Sequence, residues 1–449
     1  MKSLENMVKR YIITGAQYGA APNTRFVQSM ETYARENDAE IIVVPLAGPY
    51  KDDNQLDQRF ERFKVVHGVD YDLNRNLRIS DIQVPPTAVD PISGVKRFAQ
   101  GDSSFIIASP KQRLEYVSVP AGRISKAALT TGAATKPNYK LHTKVGRVAN
   151  ADHQYGAVIV EIDGPSFFHF RHVKANAGGS FTDLGVRYGP KGTRKAKTVA
   201  LIPGDIHPYD TDPKHEKNTF DQIEFFKPAN IFLHDTFNAT SISHHYDGKN
   251  IERFQVFKSQ GLDLEKELER TAEAVTRYAT KVGKHGTVYV VASNHDEHLT
   301  RYLDEGRFVN DKGNDLVGAK LYVAALQGEY PLEYALRNLS SDGVPSNVQF
   351  LSRDDDLRLK GFQLANHGDL GANGGRGSLA STEIANGKSI TGHSHSAAIL
   401  RDTYRVGTST RLKLRYNRGY SNWSQTNAVL YDDGTVQLLN SINGKWRSK

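Results

Sequence analysis

The chain of 449 residues contains no cysteine, two tryptophans and three methionines. Without thiols there is no disulfide, no cysteine nucleophile, no zinc ribbon and no Cys-ligated iron–sulfur cluster. Their absence also suits a reducing compartment. No apolar run approaches the roughly 18 residues of a membrane-spanning helix, and Met1–Met7 lacks the apolar core of a secretory signal. The expectation is a soluble, cytoplasmic protein without a membrane partner. Hydrophobic residues make up 38%, too many for a disordered chain. The length exceeds one ordinary core and predicts two or three domains.

Charge is present but uneven. The net +8 combines a balanced stretch over residues 1–100, a local +9 over 101–197, a local −7 over 198–400 and a local +6 over 401–449. An acidic middle between basic segments would suit a cation-binding centre with basic walls for a polyanion. A solvated surface with chance clustering is the plainer alternative.

The first segment reads as a βαβ unit. Tyr11–Thr14 is a short apolar strand, Asn23 caps a helix through Arg35 with Phe26, Met30 and Tyr33 on one face, and Ile41–Pro45 is a second strand. The turn Gly15–Gly19 does not match the dinucleotide fingerprint. Ser104–Ala108, Leu114–Val119, Tyr155–Ile162 and Phe167–Val173 read as strands, and Ala127–Asn138 as a loop, with or without phosphate contacts. Tyr188–Lys197, with two glycines, a proline and four basic residues, reads as a linker. It separates an N-terminal α/β domain, 1–190, from a second domain, 198–449. In the second, strand and helix alternate: Thr198–Pro203, Ile231–Leu233 and Val288–Val291 are strands, Leu262–Val282 is an amphipathic helix, and Ala428–Tyr431 and Thr435–Leu439 form a closing hairpin. The predicted class is α/β.

Of 16 histidines, 11 follow residue 197. Several stand directly after apolar strands, where α/β sheets place ligands. Asp205 and His207 are two apart, so an extended chain end turns both to one face. Asp235 follows a buried-looking strand and needs a cation partner. Asn294, His295 and Asp296 offer an amide oxygen, an imidazole and a carboxylate. His367 precedes a glycine, and His393 and His395 flank Ser394. Two borderline cations bridged by one carboxylate would use all these groups, and such a pair clamps a phosphoester.

The ordered series Gly204-Asp205-X-His207, His234-Asp235, Asn294-His295-Asp296, His367-Gly368 and Gly392-His393-Ser394-His395 resembles the calcineurin-like metallophosphoesterase superfamily, over about residues 198–449. The resemblance implies a sandwich of two β-sheets flanked by helices, with metals at strand carboxyl ends. It implies that Asp205, His207 and His395 bind one metal, that Asn294, His367 and His393 bind the other, and that Asp235 bridges them. The bridging hydroxide would be the nucleophile. His295 would be catalytic rather than a ligand, passing a proton or hydrogen bond to the phosphoryl group or leaving oxygen, with Asp296 orienting it. Two positions depart from the pattern: His234 and Ser293 stand where the family usually has glycine. Manganese is the metal the resemblance suggests for a nuclease, while the donor set also suits zinc, iron or nickel.

Other residues invite roles. His244 and His245 are either substrate contacts or surface histidines, and His298 reads as structural or exposed. Gly371–Ser378 either cradles an anion, with Arg376 clamping a phosphate, or forms a bare lid. Arg411, Lys413, Arg415 and Arg418 interleave with Tyr416, Tyr420 and Trp423, a nucleic-acid pattern or a charged edge strand. The leading expectation is a metal-dependent DNA nuclease. The whole layout resembles the early DNA-degrading nucleases of tailed phages within that superfamily, which would place it in the host cytoplasm, with clustering of subunits in keeping. The N-terminal domain would then serve DNA binding, specificity or oligomerisation. The alternatives are a phosphatase or phosphodiesterase acting on small or protein-bound phosphoesters, and a non-enzymatic DNA-binding protein that keeps the shell.

Overall fold

The computed structural model describes residues 8–48, 54–99, 101, 103–246 and 248–448. The segment Met1–Met7, weighed above as a signal, lies outside the described residues. Among those described, no helix is long and apolar enough to cross a membrane.

The βαβ unit forms as its pattern dictates. Lys9–Gln17 runs parallel to Ala39–Leu46, and the helix Thr24–Asn37 connects them. Asn23 caps that helix, its Oδ1 accepting from the Phe26 amide, which satisfies one of the helix's unpaired amides. The first strand runs through Gly15 to Gln17, past the turn expected at Gly15–Gly19. Gly156–Ile162 and Phe168–Lys174 add antiparallel on one side and Lys64–Val65 parallel on the other, giving five strands.

The second sheet positions the candidate site. Its order is Val348–Leu351, Thr287–Val291, Asn230–Leu233, Thr198–Ile202, Thr426–Tyr431 and Val436–Asn440. The first four are parallel and the last two form the closing antiparallel hairpin. Parallel strands must be covered on both faces. Here one face carries helices, including Leu264–Val282, whose Leu268, Val275, Tyr278 and Ala279 meet Leu233, Val288 and Val290. Asp263 caps this helix, accepting from the Lys266 amide. The other face meets a third sheet across a continuous core that contains Ile202, Phe232, Leu430, Leu114, Leu129 and Ile399. The result is an α/β sandwich.

That third sheet has ten strands, and it joins Ala398–Leu400 to Arg113–Val117 through Ile399↔Leu114. Strands from both sides of the 190–198 interval are thus hydrogen-bonded in one sheet, a long-range pairing that local composition does not encode. The expected linker is also structured. Val186–Gly189 and Gly192–Lys195 pair antiparallel around Pro190-Lys191, so the turn residues close a hairpin rather than loosen the chain. Part of the expected loop Ala127–Asn138 is strand Lys126–Thr130, and Thr130 and Thr131 are fully buried.

Candidate metal centre

Every expected metal-binding side chain arrives at the carboxyl end of a strand or in the loop beyond it. Asp205 and His207 follow Thr198–Ile202, Asp235 follows Asn230–Leu233, and Asn294 opens the helix Asn294–Asp304 after Thr287–Val291. His393 and His395 follow Ser389–Thr391. Main-chain bonds lock these segments together: the Ile206 and His207 amides donate to the carbonyls of His234 and Asp235, and the Gly392 amide donates to His367. His207, Asp235, His393 and His395 all hold positive φ, at 44°, 49°, 78° and 57°. Such geometry costs non-glycine residues about 1–3 kcal/mol each and persists only where surroundings enforce it. Gly392 is required for space, because a Cβ there would collide with Asp205 Oδ1 and approach His234 Cγ to 3.1 Å.

The side chains converge. Asp235 Oδ2 lies 3.3 Å from His207 Nε2 and 3.3 Å from His367 Nε2. His395 Nε2 lies 3.0 Å from His207 Nε2 and 3.4 Å from Asp205 Oδ2. His393 Nδ1 sits 3.2 Å from Asn294 Oδ1, and the His367 and His393 rings are 5.2 Å apart. Both carboxylate oxygens of Asp205, together with Asp235 Oδ1, His367 Nε2 and His395 Nδ1, are buried without a hydrogen-bond partner. Buried carboxylates without donors are costly unless a cation compensates them. The sets His207–Asp235–His395 and Asp205–Asp235–His367 could each hold a metal ion, and the nitrogen and oxygen donors fit a borderline divalent cation.

Electrostatics follow from this crowding. Burial and the nearby Asp235 push Asp205 up to about 7. Burial also acts to raise Asp235, but the imidazoles of His367, His295 and His207 outweigh it and hold this carboxyl well below the usual range. His367 goes the other way: burial lowers it, and Asp235 overrides that to raise it to about 9.

The surroundings add partners that residue spacing missed. His234 Nδ1 lies 3.3 Å from His367 Nδ1. Burial, then His367, lower His234 to about 3, so it is neutral and accepts the His367 Nδ1 proton. The histidine that departed from the family pattern is therefore a second-layer partner; its position beside Asp235 was visible, its contact was not. His295 Nδ1 donates to the Asn238 carbonyl over 2.9 Å. Asp296, expected to orient His295, does something else. Its Oδ2 accepts from the Ser293 amide at 2.9 Å and from the Tyr330 hydroxyl at 3.1 Å, closing the helix N-terminus. On a helix, neighbours in sequence face different directions, and a main-chain carbonyl takes the orienting role because it has no residue type to read.

The centre opens into a cavity of about 1200 Å³. His295, Arg270, Arg376, Arg405, Arg411 and Arg415 line it, with Tyr416 and Trp423. The Trp423 ring packs 4.4 Å from His395. Residues 411–418 form no strand, so the edge-strand alternative gives way to a loop at the cavity wall. In the Gly371–Ser378 segment, the amides of Gly371, Gly375 and Gly377 donate to the segment and its neighbours, so these three do not cradle an anion; Arg376 still reaches the cavity. His245 and His298 border the same cavity, and His244 packs beside them.

No family model matches the chain, and no solved structure matches it. Protein A1 of Escherichia phage T5 is 30% identical over 471 residues, an alignment spanning 98% of this chain and 83% of that protein. The chain belongs to the Protein A1 family. Because the alignment runs nearly end to end, kinship with Protein A1 covers the N-terminal sheet as well as the histidine-bearing half, and it fits a phage origin.

Proposed function

We propose that this Protein A1 relative is a two-metal phosphodiester hydrolase of the metallophosphoesterase type, acting as a DNA nuclease. The observation that carries the reading is Asp235 Oδ2, equidistant from His207 Nε2 and His367 Nε2 and flanked by buried oxygens and nitrogens without partners. Asp205, His207 and His395 would hold one cation, Asn294, His367 and His393 the other, with Asp235 shared. Manganese is the expected metal. When bound, such cations supply Lewis acidity and a water acidified toward neutral pH.

The chain's own residues then orient the phosphoester. Arg270, Arg376, Arg405, Arg411 and Arg415 supply positive charge around the cavity, which accounts for steering a polyanion. Trp423 and Tyr416 offer faces on which bases stack. His295 stands beside His207, ring centroids 4.8 Å apart. Its Nδ1 proton is committed to Asn238, so only a second proton, on Nε2, can pass to the leaving oxygen. Burial opposes that protonation, holding His295 down to about 4, whereas the negative charge of a bound phosphate favours it.

A second cavity of about 760 Å³ shares Arg411 and Trp423 with the first and is lined by Arg123, Lys126, Lys214 and Lys413. Arg123 and Lys126 come from the first basic segment, Arg411 and Lys413 from the last, and Lys214 from the acidic stretch between them; the continuity of the two cavities favours a long polyanion over a small phosphoester. The test is a metal-supplemented assay on linear, circular and single-stranded DNA beside a phosphomonoester. Cleavage of DNA with little monoester turnover is the expected result; strong preference for the monoester would return the phosphatase reading.

A further inference from the structure

Outside the centre described above, three more histidines meet at the rim of the large cavity. His244 and His245 lie on the short turn His244–Tyr246, and His298 lies on the helix Asn294–Asp304, one turn beyond His295. Their ring centroids are 4.3 Å (His244–His245), 5.0 Å (His244–His298) and 5.2 Å (His245–His298) apart. One nitrogen from each lies within 4.8 Å of the others. We propose that His244, His245 and His298 form a separate site for one zinc-like divalent cation, with the remaining coordination position open toward the cavity.

Three imidazoles packed this closely cannot all be protonated without strong mutual repulsion, and neutral imidazole is the commonest metal ligand. No carboxylate belongs to the trio, which selects a cation that accepts all-nitrogen ligation over calcium or magnesium. Two arginines stand beside the trio: Arg301 and Arg307 pair with Glu305, at 2.6 and 3.2 Å, and Arg301 also donates to His244 Nε2 over 3.5 Å, a contact that a cation held through that nitrogen would displace. Three imidazoles with an open fourth position is an arrangement that zinc commonly accepts.

The site has a mechanical consequence. The stretch between Asp235 and His245 also carries Asn238, whose carbonyl holds His295, and His298 packs 5.7 Å from the His295 ring. A cation joining His244 and His245 to His298 would clamp that stretch to the helix bearing His295 and fix its orientation. This consequence rests on the proposed role of His295; the binding itself does not.

The experiment strips the full chain of metal, reloads it with Zn²⁺ alone, removes excess by gel filtration and measures zinc per chain. H245A/H298A should hold one equivalent fewer than wild type, and D235N/H367A should keep that equivalent. Cobalt(II) loading gives a second reading, because the double histidine variant should lose a visible absorption band that D235N/H367A retains. Equal zinc content and equal cobalt spectra in wild type and H245A/H298A would overturn the site. If circular dichroism shows that the alanine pair fails to fold, H245Q/H298Q is read in its place by the same criteria. Full zinc retention in D235N/H367A would count against the binuclear centre alone and leave the trio standing.

Discussion

At the scale of single residues, the proposed function divides the candidate centre into side chains that would hold cations and side chains that would handle substrate, and the two can be told apart by metal content. His367→Ala should lose bound metal, because His367 Nε2 faces Asp235. His295→Ala should keep its metal and lose most DNA turnover, since its Nδ1 contact is to a carbonyl. Equal metal loss in both variants would contradict the division. His234→Ala removes the acceptor of the His367 Nδ1 proton; loss of such second-layer partners weakens metal binding about 10–100-fold, measurable by titration with Mn²⁺ or Zn²⁺. The residue types and their place after apolar strands were readable in the sequence, but Asp205 and His207, like His393 and His395, converge through left-handed backbone at His207, His393 and His395 rather than on the extended chain ends that the two-residue spacing suggested. Asp296 was misread because adjacency on a helix means divergence, and Asn238 was missed because its carbonyl is chemically anonymous.

At the scale of elements, strand and helix identities follow from periodicity where burial is one-sided. The helix Leu264–Val282 is the clearest case, and Asp263→Ala should cost about 1 kcal/mol in denaturant unfolding by leaving helix amides unpaired. The strand Phe168–Lys174 holds a less visible feature. Arg171 is fully buried, with Asp183 at 2.6 Å and Glu161 at 2.8 Å, tying two sheets together. Arg171→Ala leaves two buried carboxylates uncompensated and should destabilise by about 3–5 kcal/mol, seen as a lower urea midpoint. An arginine in a strand reads as an exposed position until the partners on other strands are known, which is why periodicity gave no hint of it. The hairpin at Val186–Lys195 escaped for the same reason: Gly-Pro-Lys-Gly marks a turn, and only its pairing shows that the turn is inside a sheet.

At the scale of the whole molecule, charge and buried histidine set the response to solution conditions. His153, His169, His172 and His215 lie away from the candidate centre, and burial lowers each to about 4. Unfolding returns them to about 6.5, so the unfolded chain binds more protons between those values. Stability is therefore retained above pH 6.5 and falls as pH drops from about 6.5 to 4. Glu161, first raised by burial but lowered further by Arg171 to about 2, extends the loss below pH 4.5 because its folded form resists protonation. Thermal unfolding followed from pH 8 to 3 should show both stages. DNA cleavage should in turn weaken steeply between about 0.05 and 0.2 M salt, as phosphate contacts release counterions, and an unchanged rate would remove the polyanion argument.

What the sequence determined by itself was the inventory and much of its local placement: donors of nitrogen and oxygen without sulfur, helices and strands of one-sided burial, and histidines at strand ends. These are short-range properties, set by residue type and by spacing of two to four positions. The tertiary structure decided which groups meet. It brought basic residues spread from Arg123 to Arg415 to two adjoining cavities, paired Ile399 with Leu114 in one sheet, put His234 behind His367 and gathered His244, His245 and His298 at the rim. Each of those contacts joins residues far apart in the chain, and their proximity arises from sheet pairing and shared burial, which no local window of sequence contains.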